Sequence, residues 1–182
     1  MSSTALLVID VQRSAFDGVF FPPIDRPEDL VSNARLLVDA AHHSGTPVIF
    51  VQHCEGVGQP FEVGMPHWEF HDKLTQIAGD LIIRKYASSA FEKTDLNAKL
   101  RALGVRDLVV CGLQSEHCVT NTSKSALTLG YNVRVASDGH STWPSKGQTS
   151  KAIVEGVNSE LQSLGAVLES TARIATILHA LA

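Results

Sequence analysis

A helical stretch that closes on glycine and passes within a few residues into a short apolar run recurs four times along the chain. The four segments read "AAHHSGTPVIFVQH", "KLRALGVRDLVVCG", "ALTLGYNVRVASD" and "LQSLGAVLES". Glycine just past a helix end supplies the left-handed conformation that satisfies the last carbonyls. The runs that follow, Val48–Val51, Leu108–Cys111 and Val133–Ala136, are nearly all apolar. That is the pattern of strands covered on both faces. "ALLVID" (5–10) and "LIIRK" (81–85) supply two further runs of this kind.

The segments between them have helical spacing. Leu30, Ala34, Leu37 and Ala41 share one face, as do Leu96, Leu100 and Leu103. Val119, Ser123, Ala126, Leu127 and Gly130 form a face of small residues, and Ile153, Val157, Leu161 and Leu164 form another. Strands alternating with helices predict an α/β fold of three layers, α/β/α, around an open, mostly parallel, doubly wound sheet of six strands. Residues 1–182 are expected to form one domain. The irregular excursion between Gln52 and Gly79, with Pro60, Pro66 and Trp68, is long enough to be expected at a functional site.

Composition narrows the class. A formal charge of −4, with no basic run longer than Arg84–Lys85, argues against a nucleic-acid or anionic-membrane binder. No segment approaches the roughly 20 apolar residues that span a bilayer. "MSSTALLVIDVQ" lacks a charged leader region and is interrupted by Asp10, so it predicts a strand and not a signal peptide. Three cysteines, an odd count without a secretory signal, predict free thiols and a cytoplasmic location.

In an open parallel sheet, ligands bind beyond the carboxyl ends of the strands. The residues at those ends are Asp10, His53 and Cys54, Lys85, the "GLQSEHC" loop, and Asp138. An acid, a lysine and a cysteine thus arrive at one edge from three strands. Cys118 is expected to open the helix that runs to about Leu129, where the positive end of the dipole favours thiolate. Lys85 would push the same way, and Asp10 could take the thiol proton and pass it to a leaving group. The amides of Gln114 and Cys118 could hold an oxyanion. Each of these residues alone is more often structural: a packing thiol, a cap, a solvated lysine. Their convergence favours catalysis.

"LLVIDVQRSAF", "RKYASSAFEKTDLNAKLRALGV" and "VVCGLQSEHCVTNT" together resemble the isochorismatase-like cysteine hydrolases, a superfamily that includes nicotinamidases and carbamoylsarcosine amidohydrolases. The resemblance runs from Leu6 to about Val167. It implies an Asp–Lys–Cys triad at Asp10, Lys85 and Cys118, and a cis peptide at Leu113–Gln114 before the oxyanion hole. The implied activity is hydrolysis of a small-molecule amide or related C–N substrate through a Cys118 thioester. The resemblance also implies a homo-oligomer, a dimer or tetramer, and the apolar stripe Ile174, Ile177, Leu178 and Leu181 is expected to pack internally or on a partner.

Within the superfamily, the isochorismate-cleaving members act on a vinyl ether and lack the nucleophilic cysteine, so Cys118 favours acyl substrates. Nicotinamidases carry an Asp-x-His…His metal motif after the second strand. His53, Cys54 and Glu55 stand there instead, which counts against that activity. No metal or other cofactor is expected, although His53, Glu55, His67 and His71 form a ligand-like collection. Candidate pocket residues are Phe16, Trp68 and Phe91 as apolar walls, with Gln12, His53 and Gln114 as orienting polar groups. For Phe91 simple packing is an equal expectation. His117 is expected to face outward or toward a neighbouring subunit, His140 and Trp143 could border the site, and Asp138 and Ser141 are expected to organise a turn. Two readings from other classes stay open: a thiol redox protein using Cys111 and Cys118, and a non-catalytic small-molecule binder.

Overall fold

The computed structural model describes residues 3–182. Its elements in chain order are β1 (Thr4–Ile9), α1 (Pro27–Ser44), β2 (Val48–His53), β3 (Leu81–Lys85), α2 (Leu96–Ala102) and β4 (Asp107–Leu113). There follow α3 (Thr120–Thr128), β5 (Asn132–Ser141), α4 (Ser150–Ser163), β6 (Val167–Glu169) and α5 (Thr171–His179). All six strands join one parallel sheet in the order β3-β2-β1-β4-β5-β6. The chain winds outward from β1 to β3, returns to β4 beside β1, and winds outward the other way. The switch point therefore lies between β1 and β4, where a crevice opens beyond the strand ends.

Local chemistry accounts for the helix boundaries. α1 starts on Pro27, carries Glu28 and Asp29 in its first turn, and stops at Gly45, whose φ of +65° lets its N–H reach the Ala41 and His42 carbonyls. Thr149 and Ser170 cap α4 and α5, accepting from Ala152 N and Arg173 N.

The apolar runs are buried on both faces as their composition requires. α1 and α5 cover one face, packing Ala34, Leu37, Ile174 and Leu178 on Leu6, Val8 and Cys111. α2, α3 and α4 cover the other, packing Leu100, Ala126 and Leu161 on Leu7, Ile9 and Val110. The three-layer expectation holds, and the terminal stripe packs inward: Ile174 and Leu178 are buried while Leu181 stays exposed. β3 departs from the run predicted for it. It is an edge strand in which only Ile83 and Lys85 are buried, so Ile82 and Arg84 face outward.

Two further corrections concern β5. Asp138 and Ser141 lie within this strand and not in a turn, because its second half re-pairs with β4 across a bulge (Gly112 with His140, Leu113 with Ser141). Asp138 Oδ1 accepts from Thr171 N and Oγ1 and so fixes the start of α5. The bulge needs Gly112, whose φ is +122° and whose added Cβ would fall 2.0 Å from Ile9 O. β1 and β4 thus press together just where the crevice opens.

Candidate active site

Three strand ends deliver three side chains to the switch point. Asp10 follows β1 directly, with φ of +51°, a left-handed conformation that Asp tolerates better than most residues. Lys85 is the last residue of β3. Cys118 comes after β4, in a π-helical turn (Ser115–Val119) continuous with α3. The helical segment therefore begins three residues before Cys118, and the cysteine is in its first turn and not at its opening. The Leu113–Gln114 peptide is cis.

Lys85 is the hub. Its Nζ lies 2.7 Å from Asp10 Oδ2, 3.2 Å from Cys118 Sγ, 3.1 Å from His53 Nδ1 and 3.1 Å from Ala87 O. Burial alone would discharge this lysine, but the Asp10 carboxylate 2.7 Å away, joined by Cys118 whenever that is ionised, outweighs it and raises its pKa. Asp10 Oδ1 is buried and accepts no hydrogen bond from the described residues.

The ionisation of Cys118 runs against the helix-dipole expectation. Burial first, then the Asp10 carboxylate, push the thiol up to about 11, and Lys85 only partly offsets them. Desolvation and the Asp10 charge together outweigh the stabilisation that the Lys85 ammonium gives a thiolate here. A thiol with a raised pKa beside a carboxylate is an arrangement suited to proton removal as the sulfur attacks.

His53 joins the cluster through its backbone and its ring. The Gln12 side chain donates to His53 O at 3.0 Å and accepts from His53 N at 2.8 Å, and Trp68 Nε1 donates to the same carbonyl at 3.0 Å. Burial and the Lys85 charge lower the His53 pKa. With the Lys85 ammonium donating to Nδ1, the ring proton sits on Nε2, 3.7 Å from Glu55 Oε1.

Asp10 and Cys118 open onto a cavity of about 430 Å³ walled by His53, Glu55, Phe21, Phe61, Leu113, Gln114 and Trp143. Its size suits a small molecule. Of the residues expected from sequence, His53, Gln114 and Trp143 reach it. Gln12, Phe16, Trp68 and Phe91 do not. Gln12 and Trp68 are buried behind His53, Phe16 packs edge-on against His71, and Phe91 stacks on Tyr131 at the α2–α3 face. Gln114 is turned by bonds from its Nε2 to Thr142 Oγ1 and Glu116 Oε1.

Phe21 and Phe61 were missed, being loop residues without periodicity. Phe61 does lie inside the excursion expected to be functional. His140 is buried behind the site, between Ser115 Oγ at 2.8 Å and Asn158 Oδ1 at 3.0 Å, and His117 faces solvent. The possible ligand set is dispersed: His67 packs on Phe20 and His71 on Phe16, and no group of three or more His, Cys, Asp or Glu converges among the described residues. Cys111 lies in the opposite core layer, its thiol directed at Leu7 O and pushed up to about 12 by burial.

The isochorismatase domain family model matches residues 4–171. An uncharacterized isochorismatase family protein of Bacillus subtilis, YddQ, is 36% identical over 142 residues, spanning 77% of this chain and 78% of that protein. Streptothricin hydrolase of Streptomyces noursei is 35% identical over 147 residues, spanning 76% of this chain but 50% of the enzyme. The crystal structure of an isochorismatase from Pseudomonas putida superposes with a TM-score of 0.87 at 29% identity, covering 94% of this chain and 89% of that one.

Proposed function

Because the chain belongs to the isochorismatase domain family, we propose that it is a cysteine-dependent hydrolase of a small amide or related C–N substrate, with Asp10, Lys85 and Cys118 as its catalytic residues. The observation that carries this reading is the meeting of a base, a buried ammonium and a thiol at the wall of one cavity.

In the first half-reaction the Cys118 sulfur attacks the carbonyl carbon as its proton passes to Asp10, forming the S–C bond. The Lys85 ammonium, 3.2 Å from the sulfur, stabilises the charge that develops there. The backbone amides of Gln114 and Cys118 hold the oxyanion. Collapse of the tetrahedral adduct breaks the C–N bond, and the proton on Asp10 leaves with the amine. In the second half-reaction water attacks the thioester, Asp10 accepts a water proton, the S–C bond breaks, and that proton returns to the sulfur. The carboxylic acid product then departs.

A panel of small amides, followed by intact-protein mass measurement after acid quench, tests the proposal. The expected result is a mass increase equal to the acyl group, carried on the Cys118 peptide. Cys118→Ala should abolish turnover while the protein stays folded. Hydrolysis by Cys118→Ala at near the wild-type rate would overturn the mechanism.

A further inference from the structure

We propose that Glu55 forms a cation-selective subsite, so that the preferred substrate is an amide carrying a positively charged group. This rests on the hydrolase reading for the chemistry but not for the binding.

The charge inventory of the cavity leads to this. Its walls carry two carboxylates, Asp10 and Glu55, and no lysine or arginine. Asp10 is balanced by Lys85, which is fully buried behind it. Burial and the Lys85 charge disfavour the charged form of His53. Glu55 therefore remains the uncompensated charge facing the cavity.

Its geometry suits a ligand. Glu55 Oε2 accepts from Phe61 N at 3.0 Å, which fixes the carboxylate, while Oε1 has only the His53 Nε2 proton 3.7 Å away. A carboxylate offers about four acceptor positions, so most of its capacity is open. Phe61 stands edge-on to His53, with ring centroids 5.4 Å apart, and with Phe21 and Trp143 it gives the cavity aromatic walls. Aromatic faces beside a carboxylate attract ammonium-type cations and add nothing for an anion. Glu55 meets the Nε2 side of the His53 ring, while Lys85, in contact with Cys118, meets its Nδ1 side, so the cation and the reacting carbonyl would sit at separate ends of one small ligand. The buried Asp10 Oδ1, unpartnered among the described residues, marks the reacting end.

Three para-substituted benzamides of similar size carry different charge: para-(aminomethyl)benzamide (cationic), para-ethylbenzamide (neutral) and para-carboxybenzamide (anionic). Their binding is measured by calorimetry on Cys118→Ala protein, with and without Glu55→Gln or Glu55→Arg. The expected order is cationic tighter than neutral by about tenfold, with the anionic probe weakest. Glu55→Gln, which can still accept from Phe61 N, should level the cationic and neutral probes, and Glu55→Arg should favour the anionic one. A cationic preference that is missing, or that survives Glu55→Gln, overturns the subsite, as does failure of the cationic probe to bind at millimolar concentration. If the order appears but wild-type protein hydrolyses none of the probes, the subsite stands and the catalytic reading fails.

Discussion

Lys85 Nζ lies 2.7 Å from Asp10 Oδ2 with side-chain exposures of 0% and 5%, so the two ends of this ion pair have almost no solvent to fall back on. Removing one partner strands the other. Lys85→Met should lower stability by about 3–5 kcal/mol, and adding Asp10→Asn should recover part of that loss. Urea unfolding of the two single variants and the double variant measures it. Additive losses would mean that the pair is not coupled.

Asp10 is expected to have opposite effects on reactivity and turnover. Its carboxylate is one of the causes that push the Cys118 thiol up to about 11. Asp10→Asn removes that charge, so the thiol pKa falls and iodoacetamide labelling at neutral pH becomes faster. Hydrolysis should nevertheless drop by about 10²-fold or more, because the proton acceptor is gone. Labelling profiles against pH, set beside steady-state rates, separate the two effects.

Gly112 and Gly45 both have positive φ, yet they should respond differently to alanine. At Gly45 an added Cβ meets nothing within 4 Å, and only the strained backbone conformation costs, about 1 kcal/mol. At Gly112 the Cβ would collide with Ile9 O at 2.0 Å, so β1 and β4 would have to part at the site. Gly112→Ala should lose more than about 3 kcal/mol or fail to accumulate folded. Thermal melts of the two variants give the comparison.

His140 makes stability depend on pH. Burial lowers its pKa below the ordinary 6.5, so between its folded value and 6.5 the unfolded chain binds the extra proton. Its contribution is therefore fully present above pH 6.5 and is lost as pH falls from there toward the folded value. His140→Gln should flatten that part of the stability curve, as read by chemical unfolding from pH 7.5 down to 5.

Much of this architecture is legible one segment at a time. Asp10, Lys85 and Cys118 were marked because each follows an apolar run, and a parallel sheet sends all its strand ends to one edge. The same rule failed for the pocket walls. Trp68 and Phe91 looked like lining because they are aromatic and lie in loops, but one faces inward behind His53 and the other stacks on Tyr131. Gln12 looked like a ligand contact and instead holds the His53 backbone.

The sequence by itself determined the alternating elements, the strand ends and the three reactive residue types, because apolar runs, helical spacing and glycine stops act over a few residues. Tertiary structure decided the rest. The cavity is closed by Phe21, Glu55, Phe61 and Trp143 from three separate loops, Glu55 and Phe61 sharing one, and their meeting depends on packing that no local pattern records. The protonation of Cys118 was likewise decided in three dimensions. A helix terminus can be read from the chain, but the burial and the neighbouring carboxylate that push the thiol up exist only once β1, β3 and β4 are gathered into one sheet.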